Sequence, residues 1–258
     1  MQTLKNKIVF ITGASSGIGK ACAEQFAVLG CNLIITARRI ERLKELTNTL
    51  QQQYGVKVLP VQLDVRHNQD VKNVIEELPG EWKNIDILVN NAGLALALDP
   101  IQTGDPQNWD TMIDTNIKGL LYVTRAILPG MLERKAGHII NIGSIAGRGY
   151  YAGGNVYSAT KHAVKAITKN LRIDLLGKPI RVSEIAPGAV ETEFSEVRWN
   201  DKEKAKQFYA DFTPLVADDI ADAVIYCATR KPHVNVEEVS VMCVAQASIN
   251  QIFRGELE

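Results

Sequence analysis

Ser144, Tyr157 and Lys161 stand close together in the stretch SIAGRGYYAGGNVYSATK, and their types and spacing suit proton transfer. On a helix, residues four apart share a face, so the Tyr157 phenol and the Lys161 ammonium would project side by side toward one site. A free tyrosine has a pKa of about 10, too high for acid/base work at neutral pH. A cation about 4 Å away, at an effective dielectric of about 20, favours the phenolate by roughly 4 kcal/mol, equivalent to roughly three pKa units. One lysine is therefore expected to bring the tyrosine close to neutrality. Taken alone, the same spacing also decorates solvated helix faces. It gains meaning here because a serine at a strand end precedes it and a glycine-rich turn opens the chain.

The elements that must position these groups alternate along the chain. Residues 7–12 (KIVFIT) read as a buried strand, and G-A-S-S-G-I-G follows at Gly13–Gly19, with helical composition over 20–29 and Gly30 placed to end that helix. Strand, glycine turn and helix let backbone N–H groups approach a pyrophosphate at a helix N-terminus, although tight turns need glycine for backbone reasons as well. A second strand over 31–37 ends at Arg38 and Arg39, about 20 residues beyond the glycines, where an NAD site would carry a carboxylate for the ribose hydroxyl. An arginine pair suits a 2′-phosphate instead, which favours NADP. The same arginines would also serve simply to open the solvated helix IERLKELTNTL. Further strands are expected at 56–63, 85–89, 138–142, 180–185 and 239–243. Helices fill the intervals 69–78, 155–176 and 218–229, and one helical stretch runs from about 108 to 135. This alternation predicts an α/β fold with a doubly wound parallel sheet of about seven strands in one domain over 1–258, its ligands at the carboxyl ends of the strands. Asp64 and Asn91 fall at such ends. Asn116 lies inside a helical stretch, where asparagine competes for backbone hydrogen bonds, and marks a local kink or a polar role. Residues 193–213 break the alternation; they are polar and dotted with aromatics, which suits a substrate lid or a plain surface insertion.

Composition bounds the partners. Lys+Arg 29 balance Asp+Glu 29, which gives no electrostatic case for nucleic acid or an anionic membrane. Cys22, Cys31, Cys227 and Cys243 lack C-x-x-C spacing and lie among apolar residues, as buried reduced thiols would. Histidines 67, 138, 162 and 233 have no metal-ligand spacing, so no metal is expected. The chain enters a strand within a few residues of Met1 and holds no apolar run long enough for a bilayer, so no leader is expected and a soluble cytoplasmic protein is.

Taken together, T-G-A-S-S-G-I-G, N-N-A-G, Asn116, the Ser144, Tyr157 and Lys161 set and P-G-x-V-x-T resemble a short-chain dehydrogenase/reductase over essentially the whole chain. Within that family, PGAVETEFSEVRWNDKEKAK and the Q-A-S and I-F-R-G ending resemble the NADP-dependent 3-hydroxy acid dehydrogenases that also act on serine and allo-threonine. The resemblance implies a Rossmann-type fold and assigns roles. Ser144 would hold the substrate oxygen, Tyr157 would exchange its proton, Lys161 would bind the nicotinamide ribose and depress the tyrosine pKa, and Asn116 would support a water leading from the lysine to solvent. Gly13, Ser15, Ser16, Gly17, Ile18 and Gly19 would cradle the phosphates, and Arg38 and Arg39 the 2′-phosphate. Asp64 and Val65 would contact adenine, and Asn91, Ala92 and Gly93 the adenosine ribose region. Pro187, Gly188, Val190 and Thr192 would flank the nicotinamide, with a lid over about 189–213. A substrate carboxylate needs a planar bidentate partner, for which Arg198 and then Arg148 are candidates. The resemblance also implies a homotetramer, and a face with Ile117, Leu120 and Leu121 fits such packing and an intrachain core equally. Competing readings are an NADPH-dependent reductase of a bulkier ketone, aldehyde or sugar, and a non-catalytic NADPH-binding sensor. The segment VSVMCVAQAS, in place of the glycine-rich ending usual in fatty-acid ketoacyl reductases, counts against an acyl-carrier substrate.

Overall fold

Buried strands in this chain are apolar on both sides, and that property dictates the layers. In the computed structural model, which describes residues 3–255, Ile8 and Phe10 of the first strand pack into one core while Val9 and Ile11 pack into another. Successive side chains of a strand point to opposite faces, so a sheet of such strands must be covered twice. One face of the sheet is covered by α1 (Gly17–Val28), α2 (Ile40–Tyr54) and α9 (Ala217–Ala228). The other is covered by α3 (Asn68–Glu76), α5 (Leu120–Glu133) and the C-terminal part of α6 (Asn155–Asp174).

Between the layers run β1 (Ile8–Thr12), β2 (Asn32–Ala37), β3 (Val58–Gln62), β4 (Ile87–Asn90), β5 (Gly137–Ile142), β6 (Ile180–Pro187) and β7 (Glu238–Val241). They form one sheet in the order β3-β2-β1-β4-β5-β6-β7, and every pairing is parallel. The chain builds outward from β1 to β3, then crosses to β4 on the other side of β1. A crevice therefore opens between β1 and β4 at the carboxyl edge, the place where such sheets bind ligands. The doubly wound parallel fold expected from the alternation is the one observed.

Local rules account for the element ends. Gly30, at φ +75°, closes α1 in a Schellman motif: its N–H donates to Ala27 O at 2.9 Å, and the Cys31 N–H donates to Phe26 O at 3.1 Å. The expected long helix over about 108–135 is divided. It comprises α4 (Pro106–Ile113), a π-helical turn (Asp114–Gly119) and α5, so the kink expected at Asn116 is a π turn. Residues 193–208 fold as two short helices, α7 (Glu193–Trp199) and α8 (Lys202–Phe208), capped by the side chains of Thr192 and Asp201. All four cysteines are buried and unpaired, as expected. Among the described residues, no helix is long and apolar enough to cross a membrane.

A buried polar ladder ties the sheet to α5 and α6, two helices of one layer, beneath the crevice. Asn90 Nδ2 donates to Thr124 Oγ1 and to Asn141 Oδ1, each at 2.9 Å, and Asn141 Nδ2 donates to Thr168 Oγ1 at 2.9 Å. Breaking such a network strands its partners out of reach of water, at about 1–3 kcal/mol for each orphaned group. Asn141→Ala is accordingly expected to lower the unfolding free energy by about 2–4 kcal/mol. Urea denaturation would measure it, and a loss under about 1 kcal/mol would contradict the assignment.

Candidate active site

The carboxyl ends of β1, β2, β4, β5 and β6 open into one cleft of about 510 Å³. Its floor is the turn after β1. Thr12 Oγ1 accepts the backbone N–H groups of Asn91 at 3.0 Å and Ala92 at 2.9 Å, while Asn91 Nδ2 donates to the carbonyls of Thr12 at 2.9 Å and Gly13 at 3.2 Å. Gly13 and Gly17 have φ of +68° and +52°, a region that disfavours side chains, and a Cβ on Gly19 would collide with Asn91 Nδ2 and the Gly13 carbonyl. The turn is thus a cradle with no side chain at its glycines and with the Ser15 and Ser16 hydroxyls at its wall, opening on the N-terminus of α1, which suits a diphosphate. Gly13, Ser15, Ser16, Gly17, Ile18, Arg38, Arg39, Asp64, Val65, Asn91, Ala92 and Gly93 all line the cleft, and so do Pro187, Gly188, Val190 and Thr192. Gly19 forms part of the cradle without lining it. The Asp64 carboxylate is already paired with Arg66, at 2.6 Å from Nη2 to Oδ2, and although burial acts against ionisation this partner holds its carboxyl below the ordinary range.

The other end of the cleft gathers Ser144, Tyr157 and Lys161. Ser144 follows β5 and accepts the Ala146 N–H at 3.1 Å, which fixes its hydroxyl at the cleft wall. Tyr157 and Lys161 lie on the inward stripe of α6 together with Thr160, Val164 and Thr168. The lysine Nζ donates to the Ile142 carbonyl at 2.9 Å and lies 5.9 Å from the centre of the tyrosine ring. Here the expected electrostatics are corrected. Burial pushes the Tyr157 phenol above its ordinary range, against the smaller opposing effects of Arg198 and the Ser144 hydroxyl. Burial likewise pulls Lys161 down to about 8, with Glu184 opposing it. Desolvation outweighs attraction in so enclosed a place, and the lysine does not bring the tyrosine toward neutrality. The nearest cation is Arg198 of α7, whose guanidinium carbon lies 4.9 Å from the Tyr157 ring centre and 5.2 Å from that of Phe194. Its Nη2 donates to Tyr151 Oη at 3.0 Å, and its buried Nε has no protein partner.

Two expected residues face elsewhere. Arg148 does not line the cleft; it donates to Glu238 at 2.8 Å, Glu184 at 3.1 Å and the Ser144 carbonyl at 2.9 Å, so its guanidinium braces the loop behind Ser144. The buried carboxylate of Glu184 and the partly buried one of Glu238 attract it more strongly than the open cleft does. Asn116 also lies off the cleft. Its side chain pairs with the Leu94 backbone at 2.9 and 2.8 Å and donates to Thr160 Oγ1 at 3.0 Å, which makes it a positioning residue between the π turn and α6.

The arrangement of strand-end glycine turn, serine, tyrosine and lysine in one crevice agrees with a family model for short chain dehydrogenases that matches residues 7–203. The chain belongs to the short-chain dehydrogenase family. It is 50% identical over 242 residues to the NADP-dependent 3-hydroxy acid dehydrogenase YdfG of Salmonella typhi, covering 93% of this chain and 96% of that one. It is also 50% identical to sulfoacetaldehyde reductase 2 of Chromohalobacter salexigens over 242 residues, 93% of this chain and 95% of the relative. A solved closed form of serine dehydrogenase complexed with NADP+ superimposes with a TM-score of 0.90 at 46% identity, covering 96% of this chain and all (100%) of the other.

Several residues of this short-chain dehydrogenase cleft were not assigned individually from the sequence. Tyr151, Phe194, Trp199, Phe208, Tyr209 and Gln246 line it. Gln246 Oε1 accepts the Ala189 N–H at 2.9 Å, and the Tyr209 hydroxyl donates to Val190 O at 2.6 Å, so both support the loop after β6. Arg42 was read as part of a solvated helix, yet its Nη1 donates to Glu193 at 2.7 Å. These contacts join residues far apart in sequence, and only the aromatic enrichment of 193–213 hinted at them.

A lysine held at about 8 by burial costs the folded state roughly 3 kcal/mol at pH 7. Above about pH 8 and up to the ordinary lysine range, the unfolded chain binds a proton that the folded chain lacks, so stability rises with pH across that window. Without added nucleotide, Lys161→Met should therefore stabilise the protein by about 1–3 kcal/mol at pH 7, with the gain shrinking toward pH 10. Urea unfolding at both pH values checks this. A variant less stable than wild type at pH 7 would show the ammonium to be well solvated by its surroundings.

Proposed function

We propose that the protein is an NADP-dependent dehydrogenase that oxidises the hydroxyl-bearing carbon of a small 3-hydroxy acid, of the L-serine, L-allo-threonine and 3-hydroxybutyrate type. The observation that carries this reading is the Arg198 guanidinium beside the Tyr157 ring, with a buried Nε unpartnered. It offers a planar, charge-assisted anchor for an anion next to the group that would move the proton. The names of the relatives point the same way. A 3-hydroxy acid and sulfoacetaldehyde each carry an anion on the carbon next to the reacting one, and a guanidinium accepts carboxylate and sulfonate alike.

NADP, when bound, supplies the hydride chemistry. The glycine turn with Ser15 and Ser16 would hold its diphosphate, Arg38 and Arg39 its 2′-phosphate, Lys161 its nicotinamide-side ribose, and Pro187 to Thr192 the ring. Ser144 would hydrogen-bond the substrate oxygen, and Tyr157 would take the hydroxyl proton in oxidation or return it in reduction. Because burial raises the phenol, Tyr157 is protonated at neutral pH and carries the proton that reduction consumes. Reduction is favoured there, and oxidation quickens as the medium becomes alkaline. The helices α7 and α8 would act as a lid that brings Arg198, Phe194 and Trp199 over the substrate and excludes water. Asn116, through Thr160, would keep Tyr157 and Lys161 in register.

Initial rates with NADP+ and NAD+ on L-serine, L-allo-threonine, 3-hydroxybutyrate, 3-hydroxypropionate and a neutral secondary alcohol test the reading. Turnover of the acids with NADP+, rising with pH, is expected. Tyr157→Phe should lower kcat by at least about 100-fold with nucleotide binding intact. Arg198→Ala should raise KM for acids by about 10-fold or more while sparing the neutral alcohol. Activity confined to the neutral alcohol would remove the anion anchor, and nucleotide binding without any turnover would favour a sensor.

We also place the protein in the cytoplasm as a homotetramer. Leu121 of α5 stands 42% exposed and Val244 90% exposed, apolar area that a symmetry mate would cover. Light scattering should return four times the chain mass of 28.4 kDa, and a monomer mass would refute the assembly.

A further inference from the structure

At the end of the cleft away from Tyr157 lies an ion-pair cluster whose carboxylate has no part in the proposed reaction. Glu193, the first residue of α7, sits between two guanidinium groups: Oε2 accepts from Arg39 Nη1 at 3.1 Å, and Oε1 accepts from Arg42 Nη1 at 2.7 Å. Arg39 also donates through Nη2 to Ser15 Oγ at 3.1 Å and Ser16 Oγ at 2.9 Å. One guanidinium therefore joins the phosphate cradle, the end of β2 and α7. Glu193 itself lines the cleft. Although its partial burial acts in the opposite sense, Arg42 and Arg39 hold its carboxyl below the ordinary range, so it is anionic at neutral pH.

Within this cluster one negative charge from Glu193 faces the guanidinium groups of Arg39 and Arg42, while nearby Glu41 is paired with Lys44 at 3.0 Å. The side chains of Arg39, Arg42 and Glu193 are 46%, 45% and 40% exposed. Ion pairs so open to water contribute little and exchange partners readily. A phosphate monoester carries about −1.5 to −2 charge at pH 7 and three acceptor oxygens, against one charge and two oxygens for the carboxylate. It would displace Glu193 rather than share the arginines with it.

We propose that Glu193 is a specificity-determining residue for the nucleotide, a built-in anion that competes with the ribose 2′-phosphate for Arg39 and Arg42. This rests on the reading of the cleft as an NADP site. A nucleotide with a 2′-phosphate must release α7 from the two arginines, whereas one with a 2′-hydroxyl leaves the pair in place. The carboxylate thus weakens NADP binding directly and leaves NAD binding unaffected.

Isothermal titration of NADP+ and, separately, NAD+ into wild type, Glu193→Gln, Glu193→Ala, Arg39→Ala and Arg42→Ala at one ionic strength tests this. Removing the carboxylate should tighten NADP+ by about two- to fivefold, the range that an exposed ion pair allows, and leave NAD+ unchanged. The two Glu193 variants should agree, since the residue is solvent-exposed and its loss spares the fold. Each arginine variant should weaken NADP+ and spare NAD+. If the arginine variants lose NADP+ while both Glu193 variants bind as wild type does, the role of Glu193 is overturned and the cofactor reading stands. Equal tightening of both nucleotides, or weaker NADP+ binding, overturns it as well. Arginine variants that bind NADP+ as wild type does overturn the cofactor site and the proposal with it.

Discussion

The seam between β1 and β4 is the constraint on which the site depends. Thr12, 1% exposed, accepts two backbone N–H groups from the chain leaving β4, and Asn91 returns its own N–H groups to the carbonyls of Thr12 and Gly13. Neither half holds without the other, because each carbonyl and N–H at this depth must find a partner. The reversal of strand order opens a crevice here, and the Thr12 and Asn91 clamp closes its floor. The glycine turn keeps its shape because Asn91 fills the volume that a side chain on Gly19 would need. The cradle is thus maintained by a strand whose own sequence lies some eighty residues away, at |i−j| of 78 to 80.

Electrostatics at the opposite end follow burial more than pairing. Tyr157 and Lys161 are each less than 10% exposed, at 9% and 6%, and both are driven toward their neutral forms. An acid/base pair treated as isolated charges in a uniform medium predicts the reverse for tyrosine, since it includes attraction and omits desolvation. The polar groups that oppose the drift come from three elements: Ser144 after β5, Glu184 on β6 and Arg198 on α7. Arg148 completes the set indirectly by bracing Glu184 and the Ser144 carbonyl. The Tyr157 phenol is therefore tuned by a shell, and no single neighbour sets its acidity.

The distinction between legible and illegible features follows the range of the interactions. The succession of strands and helices, the glycine turn, the strand-end arginines and the α6 stripe were readable because period-2 and period-3.6 patterns and turn residues act locally. The irregularity at Asn116 was readable too, as an asparagine in a helical pattern, although not as a π turn. Arg148 was misplaced because proximity in sequence to Ser144 says nothing of Glu184 and Glu238, 36 and 90 residues away. Arg42, Tyr151 and Gln246 were overlooked for the same reason. Each acts through a partner brought near only by the folded sheet.

Helix α7 belongs to both ends of the cleft at once. It has only seven residues, with Glu193 at its start among the arginines and Arg198 near its end over Tyr157. At about 1.5 Å per residue, the two lie roughly 7–8 Å apart along the axis, too short a span for them to move independently. Its attachments are otherwise few: the Thr192 cap, the Arg198 carbonyl accepting the Ala97 N–H at 2.9 Å, Arg198 Nη2 donating to Tyr151 Oη at 3.0 Å, and the Ser195 hydroxyl against that of Tyr209 at 2.7 Å. A short helix held by exposed ion pairs and a few hydrogen bonds belongs to the low-stability end of a fold, where lids are drawn from. An event that loosens its first residue changes the setting of the arginine at its last turn. In the function proposed above, nucleotide recognition and substrate recognition would then share one lever.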